Sequence, residues 1–269
     1  MRNIKKFQDY INEGNTSTLL ASMWNSVLGN LSAQQGTSGS SSTGGSSGFS
    51  SEDIPDSVPG NDDYLVYLQH QQGAAGVAGL VKAMKGTGKL HPDTVKTKKG
   101  TPYANLMGNI PSSVPASVKN SIKDDLDKGD QKSAATKFTN IWKEKFIKSY
   151  KDANREILNP KNKVVREAIA SACIKTGVPF DFAVTVAYIE SRFNPNAVSS
   201  NGVYKGLFQM APNRNYGGEV GVLGSDWSDP EKNAEKGVKL IASDLKTFKK
   251  ELGPTWSSLK MGDWTKNIA

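Results

Sequence analysis

At 269 residues the chain exceeds the roughly 150 residues of an average domain, enough for one substantial core or two small ones. With 36% hydrophobic residues and 26 glycines it falls in the ordinary globular range, which excludes wholesale disorder. The net charge of +8 points toward polyanionic partners, among them nucleic acid, anionic cell-surface polymers and acidic glycans.

No stretch approaches the ~18 consecutive apolar residues of a membrane helix, so no membrane insertion is expected. Met1 to Gly14 alternates charged with apolar residues and lacks the apolar core of a Sec-type signal peptide. Cys173 is the single cysteine, which excludes an intramolecular disulfide. With only His70 and His91 as histidines, a His/Cys metal site or a Ser-His-Asp machine is a poor fit, and the expectation is no metal and no cofactor. Chemistry here should run on carboxylates.

Residues 1–35 hold two short amphipathic patterns, Ile4, Phe7 and Ile11, then Leu19, Leu20, Met23, Trp24, Val27 and Leu28. Residues 36–60 open with a nearly pure Gly/Ser/Thr run and read as a flexible linker. Within 61–150, Tyr64 to Met84 is a helical pattern interrupted by Gly73, Gly76 and Gly79, and Pro92 to Pro115 is broken into turns. Val118 to Leu126 and Gln131 to Tyr150 look helical again, the latter with Phe138, Ile141, Trp142, Lys145 and Phe146 on one stripe and basic residues alongside. From Lys137 to Lys175 ten Lys/Arg face four Asp/Glu, either a solvated helix face or a contact surface for an anionic polymer such as DNA.

In 151–269, helices are expected over Val164 to Lys175 and Asp181 to Arg192, the second capped by Asp181 and stopped at Asn194-Pro195. Asp229-Pro230 then announces a helix whose buried face carries Ala234, Val238, Ile241, Leu245, Phe248 and Leu252. No strand pattern competes, so the fold class is mainly α.

Glu190 ends the otherwise apolar run AVTVAYIE, where desolvation and the negative end of the helix both disfavour the ionised form. Such a carboxyl is a candidate general acid for glycosidic-bond cleavage, in which the leaving oxygen must receive a proton. Position alone favours a surface glutamate at a helix end.

The residues that follow decide between these. Glu190-Ser191, Phe193-Asn194-Pro195, Ala197 and Ser199 stand in order, then Gly206-Leu207-Phe208-Gln209, then Asp229-Pro230 with Asn233 and Gly237. This series, over residues 162–252, resembles the lytic transglycosylase (SLT-type) branch of the lysozyme superfamily. The resemblance implies a lysozyme-like fold of the goose-type or lytic transglycosylase kind, with peptidoglycan glycan strands as substrate. It implies that Glu190 is the single acid/base and that Ser191 supports its carboxyl by a hydrogen bond. Gly206 to Gln209 would form a cleft wall, with the Gln209 amide facing sugar. Such enzymes cleave between N-acetylmuramic acid and N-acetylglucosamine and leave a 1,6-anhydro end without water. A hydrolytic lysozyme usually needs a second carboxylate, and the spacing of Glu219, Asp226 and Asp229 singles out none of them.

Two departures stand out. Three residues separate Gly202 from Gly206 where the family has two, which leaves the aim of Tyr204 open. The family's later A-Y-N-A-G segment has no counterpart after Leu252. Upstream, VYLQHQQGAAG (66–76) resembles the Y-L-A-H-F-L-G-x-G-G variant of that segment in some phage-type enzymes, which would place His70 at the Tyr position, Gln71 at the Asn position and Gly73 at the closing glycine. The halves of the fold would then be circularly permuted, with 61–150 completing the cleft. The amino terminus, MRNIKKFQDYINEG, resembles the capsid-targeting peptide of T-even-type phages, with processing after Glu13. These resemblances imply a phage-encoded enzyme in the virion (head interior or tail), or in the host cytoplasm before release to the wall, with virion proteins as further partners. The competing expectations are a basic phage structural or DNA-binding protein that keeps an inactive lysozyme-like domain, and a hydrolytic lysozyme.

Overall fold

A computed structural model describes residues 61–90 and 104–268, and residues 58–269 form one compact unit. The expectations for residues 1–35, for the linker and for His91 lie outside the described residues. Eight α-helices are described: α1 (Tyr64–Lys85), α2 (Ala104–Gly108), α3 (Ala116–Asp127), α4 (Gln131–Glu156), α5 (Lys163–Thr176), α6 (Phe180–Ser191), α7 (Pro230–Leu252) and α8 (Trp264–Asn267). Short 3-10 turns at Pro160–Asn162, Gly224–Ser228 and Gly253–Ser258 join some of them. Among the described residues the only extended pairing is two isolated bridges, Val198 with Lys205 and Lys205 with Met210. The fold is mainly α, as expected, and consistent with a lysozyme-like architecture.

Helix α6 is the centre. Every residue from Phe180 to Ala187 is buried, so neighbours must cover it on all sides. α4 and α5 pack directly on it, while α1 bridges α4 and α7, and α7 lies along α5. α4 runs six residues past the expected Tyr150, because Ala153 and Asn154 continue its buried stripe. α1 bends at only one of its three expected glycines, Gly73, whose φ of 70° interrupts the helix; Gly76 and Gly79 stay helical, and both are buried. A chain of ring contacts ties four helices together. Tyr67 lies 6.0 Å from Trp142 and 5.7 Å from Phe146, Phe146 lies 5.4 Å from Phe182, and Phe182 lies 5.3 Å from Trp264.

Asp181 does not act as the expected cap. The residue before α6 is Pro179, and Asp181 sits inside the first turn, buried, accepting from the Tyr150 hydroxyl and from the Phe182 N–H. The helix also ends earlier than Asn194-Pro195 alone would stop it, at two successive left-handed residues, Arg192 (φ 55°) and Phe193 (φ 63°). Asp229 does cap α7, accepting from Glu231 and Lys232 N–H, and the six expected apolar residues of α7 are all buried.

The two ends of the unit are laced together. Asp62 and Lys260 exchange hydrogen bonds, Asp62 N–H to Lys260 O and Lys260 N–H to the Asp62 carboxylate. The buried Asp63 carboxylate accepts from Gly262 N–H and Trp264 Nε1, both at 2.8 Å. Burial pushes Asp63 up from 3.8 to about 7, opposed by those two donors and reinforced by the charges of Asp181 and Asp62. Asp181 is pushed up as well, again chiefly by burial.

Both shifts carry the same sign for stability. Between the ordinary aspartate value and about pH 7 the folded chain holds protons that the unfolded chain has released, so stability is greatest below pH 4 on this account and declines as pH rises toward 7. The melting temperature should fall by roughly 5–10 °C from pH 4.5 to 7.5. Asp63→Asn should flatten that slope and lower the whole curve, since its amide oxygen can serve one of the two donors but not both; calorimetry across pH checks this.

Candidate active site

The end of α6 carries the candidate acid, Glu190. Glu190 stands one turn beyond the fully buried part of the helix and is itself half-buried, with a buried Oε1 that has no hydrogen-bond partner. The left-handed pair Arg192-Phe193 turns the chain away immediately after Ser191. Such backbone costs about 1–2 kcal/mol per non-glycine residue, and here it is held by Phe193, buried 5.4 Å from the Tyr188 ring. The guanidinium of Arg192 lies 4.0 Å from the centroid of the same Tyr188.

Tyr67 of α1 faces Glu190. Burial pushes its phenol well above the ordinary value, the negative charge of Glu190 and a hydrogen bond to that carboxyl push further, and the Gln71 side chain pulls the other way. The hydroxyl therefore remains an O–H donor beside the carboxyl across the working pH range. Lys145 of α4 completes the surround. Its ammonium lies 4.6 Å from the Trp142 ring centroid, is held below the usual lysine value by desolvation, and feels both Glu190 and Arg192.

The turn Gly206 to Gln209 is held in shape by one side chain. Asn233 of α7, fully buried, accepts from Phe208 N–H at 2.9 Å and donates to Trp227 O at 2.9 Å. A Cβ on Gly206 would stand 2.1 Å from Asn233 Nδ2 and 2.3 Å from Trp227 O at a φ of 77°, so only glycine fits. Gly237 has the same role a turn further along α7, where a Cβ would meet Phe208 Cγ at 2.3 Å. Tyr67, Val66, Val186, Phe208 and Ile241 then line a shallow apolar crevice between α1, α6 and α7.

The residues singled out in the sequence fall in several places. Ser191 is buried and donates to Ala187 O at 3.0 Å, bracing the last turn of α6 instead of the Glu190 carboxyl. Gln209 is buried too, and its amide nitrogen donates to Gly206 O and Ala197 O, so it ties the turn together from inside. Tyr204 is exposed, and its backbone closes a small loop with Ser199. Gln71 lies one helical turn from Tyr67 on the same face of α1, close enough to act on the phenol. His70 belongs to α1, but its side chain is outside the described set. Of the candidate carboxylates, Asp229 is engaged as the cap of α7, while Glu219 and Asp226 are exposed.

Tyr67, Lys145, Arg192 and Asn233 were not among the expected site residues. Tyr67 was in view within VYLQHQQG, three residues before the histidine assigned to its role. Lys145 was in view only as one member of the basic run from Lys137 to Lys175, three residues after Trp142, and Arg192 only as the residue after Glu190-Ser191.

The Transglycosylase SLT domain family matches residues 167–265, a segment that contains α6, the Gly206–Gln209 turn and α7. The match supports a peptidoglycan lytic transglycosylase. No curated protein and no solved structure matches the chain. Among the described residues no helix is long and apolar enough to cross a membrane, and no group of three or more His, Cys, Asp or Glu is placed to hold a metal ion.

Replacing Asn233 with Ala should strand Phe208 N–H and Trp227 O in the interior. Each orphaned group costs about 1–3 kcal/mol, so urea unfolding should show a loss of about 2–5 kcal/mol. An Asn233→Ala variant as stable as the parent would remove Asn233 as the brace of the turn.

Proposed function

We propose that this protein cleaves the β-1,4 bond between N-acetylmuramic acid and N-acetylglucosamine with Glu190 as its only acid/base, and releases 1,6-anhydromuramoyl ends. The observation that carries the reading is the unpartnered Glu190 carboxyl oxygen at the end of a buried helix, faced by the Tyr67 O–H. In the first step Glu190 gives its proton to the bridging oxygen, and the bond to the muramoyl C1 breaks. The muramoyl 6-hydroxyl then bonds to C1 and returns its proton to the Glu190 carboxylate, so acid and base alternate on one group and no water is consumed. The Tyr67 O–H orients the carboxyl and stabilises its anionic stage.

This economy in carboxylates favours transglycosylation over hydrolysis, since Asp229 is spent on its cap. The pairing of Lys137 with Asp125 and of Lys175 with Glu235 brings acids from outside the basic run against it and weighs against a DNA-binding role for it.

The reading includes a permuted order of the two halves. Tyr67, which lies outside the matched family segment, supplies the group facing Glu190, and the bonds of Asp62 and Asp63 to residues 260–264 bring the end of that segment against the start of α1. In this view α1, with Gln71 and His70 on it, does the work of the far cleft wall. The amino-terminal resemblance supports delivery by a phage particle, with Glu13 as the processing site.

Mass spectrometry of digested peptidoglycan tests the chemistry. Anhydromuramoyl ends are expected, and reducing muramoyl ends in their place would overturn the single-carboxylate mechanism. Glu190→Gln should lower turnover by about 10²–10⁴-fold, and Tyr67→Phe by up to about 10²-fold with KM little changed.

A further inference from the structure

Two exposed cations, Lys145 and Arg192, stand near the end of α6. Lys145 arrives from α4, outside the matched family segment, and Arg192 from the left-handed turn after α6. Each rests on its own aromatic seat, Lys145 over Trp142 at 4.6 Å and Arg192 over Tyr188 at 4.0 Å. Cation–π seating of this kind fixes the position of a charge without neutralising it. Both side chains are exposed. Lys145 is close enough to Arg192 for the two charges to repel, and close enough to Glu190 to feel its charge. Two neighbouring like charges leave a surplus of positive charge at this end of α6. In the same corner the indole N–H of the buried Trp142 has no hydrogen-bond partner.

A neutral sugar polymer would not call for this arrangement. Holding two cations together costs repulsion that an anion between them relieves. We infer that Lys145 and Arg192 form an anion-binding subsite beside Glu190 that receives a carboxylate carried by the muramoyl residue. The inference rests on the peptidoglycan reading above and names the portion of the substrate that the cleft distinguishes. The carboxylate has two sources. In peptide-free strands it is the lactyl group itself, and in peptide-bearing strands, where the lactyl carbonyl is an amide, it belongs to the stem peptide.

The test compares the parent with Lys145→Gln and Arg192→Asn, the asparagine chosen because it tolerates a positive φ, and with the charge-retaining Lys145→Arg and Arg192→Lys. KM and kcat are measured on peptide-free glycan strands and on peptide-bearing sacculus fragments. Binding of a neutral N-acetylglucosamine oligomer is measured alongside. Neutralising either cation should raise KM about tenfold or more, as loss of a charged hydrogen bond does, with kcat changed less. Salt should weaken the parent more than the variants, binding of the neutral oligomer should hold constant, and the charge-retaining variants should recover most of the loss. A rise confined to peptide-free strands assigns the lactyl carboxylate, and one confined to peptide-bearing fragments assigns the stem peptide.

Unchanged KM on both substrates, with cleavage intact in the parent, would overturn the subsite and leave the enzymatic reading standing. Equal losses on the neutral oligomer would overturn it too, by showing a general distortion of the cleft. If the parent cleaves nothing, the enzymatic reading fails, and titration of peptide-free strands into parent and variants decides the subsite alone: equal affinities overturn it. Loss of duplex DNA binding in the variants without any change in strand binding would assign the two cations to nucleic acid and sink the proposal.

Discussion

A helix buried on every side has one place to present polar chemistry, and that is its end. From Phe180 to Ala187, α6 offers no face to water, so the chain can expose a reactive group only where the helix leaves its packing. Glu190 occupies that exit. The strained pair after it, the packing of Phe193 against Tyr188, and the Ser191 bond to Ala187 O all act to end the helix abruptly, just after the carboxyl beside Tyr67. The surrounding helices serve two ends at once, because they bury α6 while their own side chains, Tyr67 and Lys145, form the environment of its last turn.

The Gly206–Gln209 turn is built by a different logic. It is closed by backbone hydrogen bonds of its own, Gly206 N–H to Ala197 O and Gln209 N–H to Gly206 O, and α7 supplies the partner that Phe208 N–H lacks. Asn233 takes a backbone donor and serves a backbone acceptor, Gln209 bridges inward to two carbonyls, and two glycines let backbone and ring approach to distances that any side chain would block. A family motif that looks like a list of substrate contacts is here largely a list of braces. Ser191 and Gln209 are the instructive cases: the resemblance assigned them to the carboxyl and to the sugar, and both spend their donors on main-chain oxygens.

The Asp63 lacing has consequences beyond stability. It brings residues 260–264 onto the first turn of α1, and through Trp264, Phe182, Phe146 and Tyr67 it continues as one run of rings to the phenol that faces Glu190. The position of that phenol thus depends on packing that begins at the opposite end of the sequence.

Much was legible from the residues alone. The apolar periods of α5, α6 and α7, the Asp229-Pro230 start and the glutamate at the close of AVTVAYIE are local properties, set by side-chain spacing and capping chemistry within a few positions. The mainly α class follows from the same periods. What needed the tertiary structure was every relation across the chain. Tyr67 and His70 lie within one turn of α1, and only the packing of that helix against α4 and α7 decided that the tyrosine faces Glu190. Lys145 looked like one more member of a basic run until α4 was laid beside α6. The buried pair Asp63 and Asp181 could not be read in advance, because an aspartate's burial is a property of what other helices bring against it.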